Sequence, residues 1–135
     1  MASSYRDLKV WQSAIDLAEM VYVVTANFPP SEIYGLTSQL RRASVSIPSN
    51  IAEGWGRHSR KDYGRFVLMA RGSNDELQTQ LILSTRLKFG DQTLLSEAAR
   101  LSEEVGRMLT GLHIYLQTPR KPSSPQPNTS PSPGT

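Results

Sequence analysis

Gly35–Ser73 reads GLTSQLRRASVSIPSNIAEGWGRHSRKDYGRFVLMARGS. Leu36, Leu40, Ala43, Ile47 and Ile51 recur in steps of three and four, which draws one apolar stripe along a helix. Pro48 interrupts that helix; it has no N–H to offer the Ser44 carbonyl and predicts a kink. Ser44, Ser46, Ser49 and Asn50 stand around it, able to bond freed backbone groups or to let another helix approach closely. The helix is predicted to end near Glu53, where Gly54 and Gly56 flank Trp55 in a C-cap-like corner. Ser59-Arg60-Lys61-Asp62 then has the form of a capping box. A longer helix follows on Tyr63, Phe66, Ala70, Ser73, Leu77, Leu81 and Ser84, predicted to reach about Lys88 with Gly90 as terminator. At 1.5 Å per residue it is roughly 40 Å long. Gly72-Ser73 in its middle costs helix propensity of about 1 kcal/mol relative to alanine, and predicts close contact with a neighbour in return.

Working outward, the chain repeats the same grammar. Asp7 is positioned to cap a first helix over Leu8–Asn27, with Leu8, Trp11, Ile15, Ala18, Tyr22 and Thr25 as its stripe. Pro29-Pro30 closes it. Ser31 is the expected cap of the second helix. Asp91 is the expected cap of the last, whose stripe is Leu94, Ala98, Leu101, Val105, Met108, Leu112 and Tyr115, ending near Thr118. No segment alternates with a period of two. The fold class is therefore all-α: an antiparallel, up-down four-helix bundle over residues 7–118. Residues 1–6 are expected to be flexible. From Pro119 the chain is rich in Pro, Ser, Asn and Thr after Arg120 and Lys121, and 119–135 reads as a disordered tail.

Two helices carry apolar residues beyond their stripes: Val10, Ala14, Leu17 and Val21 on the first, and Val67, Leu68, Met69, Ile82 and Leu83 on the third. A helix apolar on more than one side buries more than one side. Self-association meets that requirement; a thicker internal core is the alternative.

The chain has 135 residues, 38% of them hydrophobic, enough for one domain with a core. It has no cysteine, which excludes disulfides, thiolate catalysis and Cys-type zinc sites. The N-terminus has no apolar signal region, and no apolar run is long enough to span a bilayer, so the expectation is a soluble cytoplasmic protein. The histidines are His58 and His113. Neither follows a glutamate by three residues, against a di-iron bundle site. So few histidines also remove most metal and general-base designs. Serine appears without a nucleophile elbow, and Gly54-Trp55-Gly56 lacks the Lys-Ser/Thr of a phosphate-binding loop. No catalytic residue, metal or cofactor is expected.

Charge is unevenly placed. The formal net charge is +3. Arg41, Arg42, Arg57, Arg60, Lys61, Arg65 and Arg71 stand against Glu53 and Asp62 alone, seven cations less two carboxylates; that window is net +5 and the rest of the chain net −2. A local positive field suits phosphate contact. The planar guanidinium offers two donors to two oxygens, and Trp55 and Tyr63 nearby can stack on a base or on an arginine. The competing reading makes the arginines structural, paired with Glu53 or with a neighbouring subunit, and Trp55 a plug at the bundle end. A small anionic ligand is the third.

The strings LKVWQ at Leu8, FPPSEIYGLTSQLRRA at Phe28, SIPSNIAEG at Ser46 and RFVLMARGSNDELQTQL at Arg65 go further together than any one alone. Over residues 5–118 the chain resembles the bacterial 23S ribosomal RNA intervening-sequence proteins, and is similar to the accessory variability proteins of diversity-generating retroelements. The resemblance implies a four-helix protomer that assembles into a homopentameric, barrel-like ring. It implies nucleic-acid binding (RNA or DNA) by a basic surface or pore in some relatives, a reverse transcriptase as partner in the retroelement branch, and no enzymatic activity.

Overall fold

The structure, a computed structural model, describes residues 2–119; the expected tail lies, from residue 120 on, outside the described residues. Four α-helices and two short 3-10 turns make up the described chain, with no strand among the described residues. The helices are α1 (Lys9–Thr25), α2 (Leu36–Trp55), α3 (Arg60–Arg86) and α4 (Gln92–Gln117). None is long and apolar enough to cross a membrane.

Two expected caps form. The Ser59 hydroxyl accepts from the Asp62 N–H at 3.0 Å and opens α3. The Asp91 carboxylate accepts from Thr93 and Leu94 and opens α4. Two do not. Asp7 closes a 3-10 turn over Tyr5–Asp7 and turns its carboxylate back to the Ser3 N–H and hydroxyl, so α1 starts on Leu8 with no side-chain cap. Ser31 lies inside a second 3-10 turn, Pro30–Glu32, and the Glu32 carboxylate serves the Leu36 N–H at 3.1 Å instead. Helix α2 continues through Pro48, which is buried. Asn50 next to it donates to the Ser46 carbonyl and hydroxyl.

Pairs along the helices set their directions. Ser46 meets Ser73 at 2.8 Å, while Gly54 lies under Tyr63 and Phe66, so α2 and α3 run antiparallel. Asn74 meets Ser102, and Arg60 reaches Tyr115, so α3 and α4 do likewise. Helix α1 packs against α2 and α4, and its backbone nowhere comes close to that of α3, which puts α1 and α3 on opposite corners.

On α2 the expected stripe is the core: Leu36, Leu40, Ala43, Ile47 and Ile51 are all buried. On α1 it is so only in part: Ala18 and Thr25 are buried and Leu8 and Trp11 pack partly buried against the core, but Ile15 and Tyr22 are exposed, and Val10, Ala14, Leu17, Val21 and Val24 are buried. The residues that looked supernumerary form the core, and part of the stripe faces outward. On α4 the core line is Leu95, Ala98, Ser102, Val105, Leu109 and Leu116, one position on from most of the expected stripe; Leu94, Leu101, Met108 and Leu112 flank it and Tyr115 is exposed. The close contact expected of Gly72-Ser73 belongs to Ser73 alone; a Cβ on Gly72 would meet nothing within 4 Å.

Candidate nucleic-acid interface

The seven basic residues fall in four places. Arg41 lies across α1, its Nε donating to the Thr25 hydroxyl at 2.9 Å and its guanidinium 4.7 Å from the centre of the Tyr22 ring. Arg42 is exposed, beside a small cleft between α2 and α3 that Gln39, Ser46, Ser73, Glu76 and Gln80 also line. Arg71 lines a third place, a cleft between α3 and α4, with Asp75, Glu103 and Arg107. Arg57, Arg60, Lys61 and Arg65 come together at the fourth. The window that is contiguous in sequence is thus dispersed, because successive residues on a helix point about 100° apart.

That fourth place is a groove of about 860 Å³, where the corner before α3 and the first turns of α3 meet the end of α4. Arg57, His58, Arg60, Lys61, Arg65 and His113 bring the basic groups, Asp62 the single carboxylate, and Gly64, Leu68 and Leu116 the apolar lining. Counting Lys and Arg against Asp, four cations meet one anion.

The cations are held differently. Arg57 donates to Glu53 at 2.9 Å and has Asp62 at 3.7 Å. Arg65 pairs with Asp62 at 2.9 Å. Both guanidinium groups lie over Phe66, 4.5 and 4.6 Å from its ring centre. Arg60 donates to the carbonyls of Tyr115 (2.6 Å) and Thr118 (3.5 Å) and stacks 4.6 Å over the Tyr115 ring. These acceptors are neutral, so Arg60 keeps its charge while satisfying carbonyls at the C-terminal end of α4, where a cation is favoured. Lys61 is exposed and forms no ion pair among the described residues. The acidic half of the expected capping box does not close, because these arginines hold the Asp62 carboxylate.

Trp55 and Tyr63, the aromatic pair read as a stacking surface, meet each other edge to face at 6.3 Å. Tyr63 packs against the core, and burial pushes its phenol pKa up. Neither lines the groove. His113, Leu116 and Gln117 of α4 do, and only the topology brings them there; nothing in the spacing of residues 41–71 points to a segment some fifty positions on. Among the described residues, no three His, Asp or Glu side chains group closely enough to hold a metal ion.

The 23S rRNA-intervening sequence protein model matches residues 6–111. The fold is similar to the crystal structure of a protein of unknown function from the S23 ribosomal protein family of Bacteroides thetaiotaomicron, with a TM-score of 0.69 and 20% identity over 81% of this chain and 99% of that one. No curated protein sequence matches.

Proposed function

The chain belongs to the 23S rRNA-intervening sequence protein family, and on that premise we propose that it is a non-enzymatic, self-associating up-down bundle that binds the phosphate backbone of nucleic acid at the basic end of α3. The observation that carries this reading is the groove: four of the seven cations converge there on one carboxylate, and Arg60 and Lys61 have no counter-charge among the described residues. Phosphates would replace the missing anions, releasing counterions and making affinity fall steeply with salt. Fluorescence anisotropy with labelled RNA and DNA across a salt series tests it. Lys61→Ala is expected to lower affinity and to reduce the slope of log K against log salt by about 1, with stability unchanged within about 0.5 kcal/mol. Absence of binding at low salt refutes the reading.

A second reading, a protein-interaction scaffold without nucleic acid, has its own observation. Arg41, Arg57 and Arg65 are already engaged by Tyr22, Thr25, Phe66, Glu53 and Asp62 of the same protomer. Apolar residues meanwhile stand exposed on the outer faces of α1 (Ile15, Tyr22, Val23) and α3 (Met69, Ile82, Leu83). Those helices occupy opposite corners, so contact of one copy's α1 with the next copy's α3 is head-to-tail, which generates a ring where the rotation between copies closes and an open filament where it does not. A homopentamer is the proposed ring, and a reverse transcriptase the proposed protein partner. Native mass spectrometry separates the readings: a scaffold keeps its assembled mass with no affinity for RNA, and Arg42→Ala lowers that mass.

A further inference from the structure

We infer that the groove takes single-stranded nucleic acid, seating an unstacked base against its apolar lining between phosphates held by its cations, and does not take the duplex. This rests on the reading of the groove as a phosphate site and names its substrate class.

Three features lead there. The volume, about 860 Å³, falls in the range of about 300–1,000 Å³ typical of small-molecule pockets. A recess of that size admits a nucleotide or two, whereas a duplex presents a convex cylinder whose bases are stacked out of reach. The second feature is chemical layering. A surface made only for backbone contact needs a charged face and no apolar one. Here Leu68, itself 44% exposed, and Leu116 line the same groove as the cations. Gly64 is buried, and a Cβ there would be in ordinary contact with Leu116 at 3.8 Å and the His113 ring at 3.9 Å. An apolar lining beside an imidazole, in one groove with four cations, matches the two parts of a splayed nucleotide, a flat base and a charged linkage. The third feature is the rigidity of the cations. Arg60 is fixed on the Tyr115 ring and two carbonyls, and Arg65 on Phe66 and Asp62. Their positions are set before binding, so little side-chain freedom is lost when a strand arrives.

The test uses the full-length chain and two labelled RNAs of about 12 nucleotides, within the site sizes of about 4–16 nucleotides known for single-strand grooves: one unstructured single strand, and the same strand annealed to its complement. The single strand is expected to bind at least about fivefold more tightly than the duplex at the same salt. Leu68→Ser, which removes apolar lining and no charge, is expected to abolish most of that preference while leaving duplex binding unchanged; Lys61→Ala weakens both. Circular dichroism checks that the variants keep their helix content. Equal or tighter duplex binding, or a preference that survives Leu68→Ser, overturns the inference and leaves the phosphate-site reading standing. No binding of either RNA at low salt overturns both.

Discussion

Two glycines show how much a single position decides. At Gly54 a Cβ would lie 2.8 Å from the Phe66 Cβ and 2.9 Å from the Tyr63 ring. The Phe66 Cβ sits on the α3 backbone and cannot swing away, so α2 approaches α3 here only because no side chain intervenes. Gly54→Ala gains about 1 kcal/mol of helix propensity and loses about 1–3 kcal/mol to overpacking; the expected net is a loss of stability in denaturant melts. Gly72, with open space around it, gives the opposite result: Gly72→Ala keeps the propensity gain of about 1 kcal/mol and raises the melting temperature by a few degrees. Tyr63 adds a pH dependence. Its folded-state pKa is raised by burial, so the unfolded chain ionises first. The stabilising contribution is complete below about pH 10 and is lost as pH rises through the raised native value. Melts from neutral to strongly alkaline pH are expected to show a steeper alkaline decline for the wild type than for Tyr63→Phe.

At the scale of the helix, a polar clasp joins α3 to α4. Asn74 donates to the Ser102 carbonyl at 2.9 Å and accepts from its hydroxyl at 2.7 Å, with both residues buried. Each satisfies the other, so either truncation strands a buried partner at a cost of about 1–3 kcal/mol. Asn74→Ala and Ser102→Ala are each expected to destabilise by that order. The double variant should cost less than the sum, with a coupling of about 0.5–3 kcal/mol measured by a double-mutant cycle. This clasp also explains how the α4 stripe came to be misplaced. Steps of seven through Leu94, Leu101, Met108 and Tyr115 are as regular as those through Leu95, Ser102, Leu109 and Leu116, and a serine in the second series argues against it. Only the Asn74 side chain on the facing helix makes Ser102 a core residue. Helix α1 hid its inner face for a related reason: two apolar series run side by side, and periodicity names both without saying which meets the bundle. Element number, the C-terminal helix ends and the Ser59 and Asp91 caps were readable because they depend on local chemistry, whereas the start of α2 falls at Leu36, past the expected Ser31 cap. The groove was half readable. Its α3 cations are neighbours in sequence, while His113 and Leu116 arrive by antiparallel pairing.

Taken whole, the protomer is a bundle whose two opposite corners differ from an ordinary solvent face. Tyr22 is 46% exposed on one and Ile82 57% on the other. Isolated exposed apolar side chains are unremarkable, but Ile82 and Leu83 are adjacent on α3, and Ile15 and Tyr22 share a side of α1. If the two corners cover each other between copies, assembly and polyanion binding become linked. Each added protomer places another groove on the same particle, and a long strand that engages several of them is held by effective concentration rather than by new contacts. Light scattering is then expected to give a mass that is a multiple of the 15.0 kDa chain. A charge on either face should lower it: Ile15→Glu and Ile82→Glu each are expected to shift the protein toward a single copy, with helix content retained because both side chains lie outside the core. In the single-copy variants, affinity for a strand that fills one groove should stay near the wild-type value, while affinity for a strand several times longer should fall by about 10²-fold or more. A wild-type mass of one chain at micromolar concentration would leave those apolar faces without this explanation, and the length dependence would disappear with it.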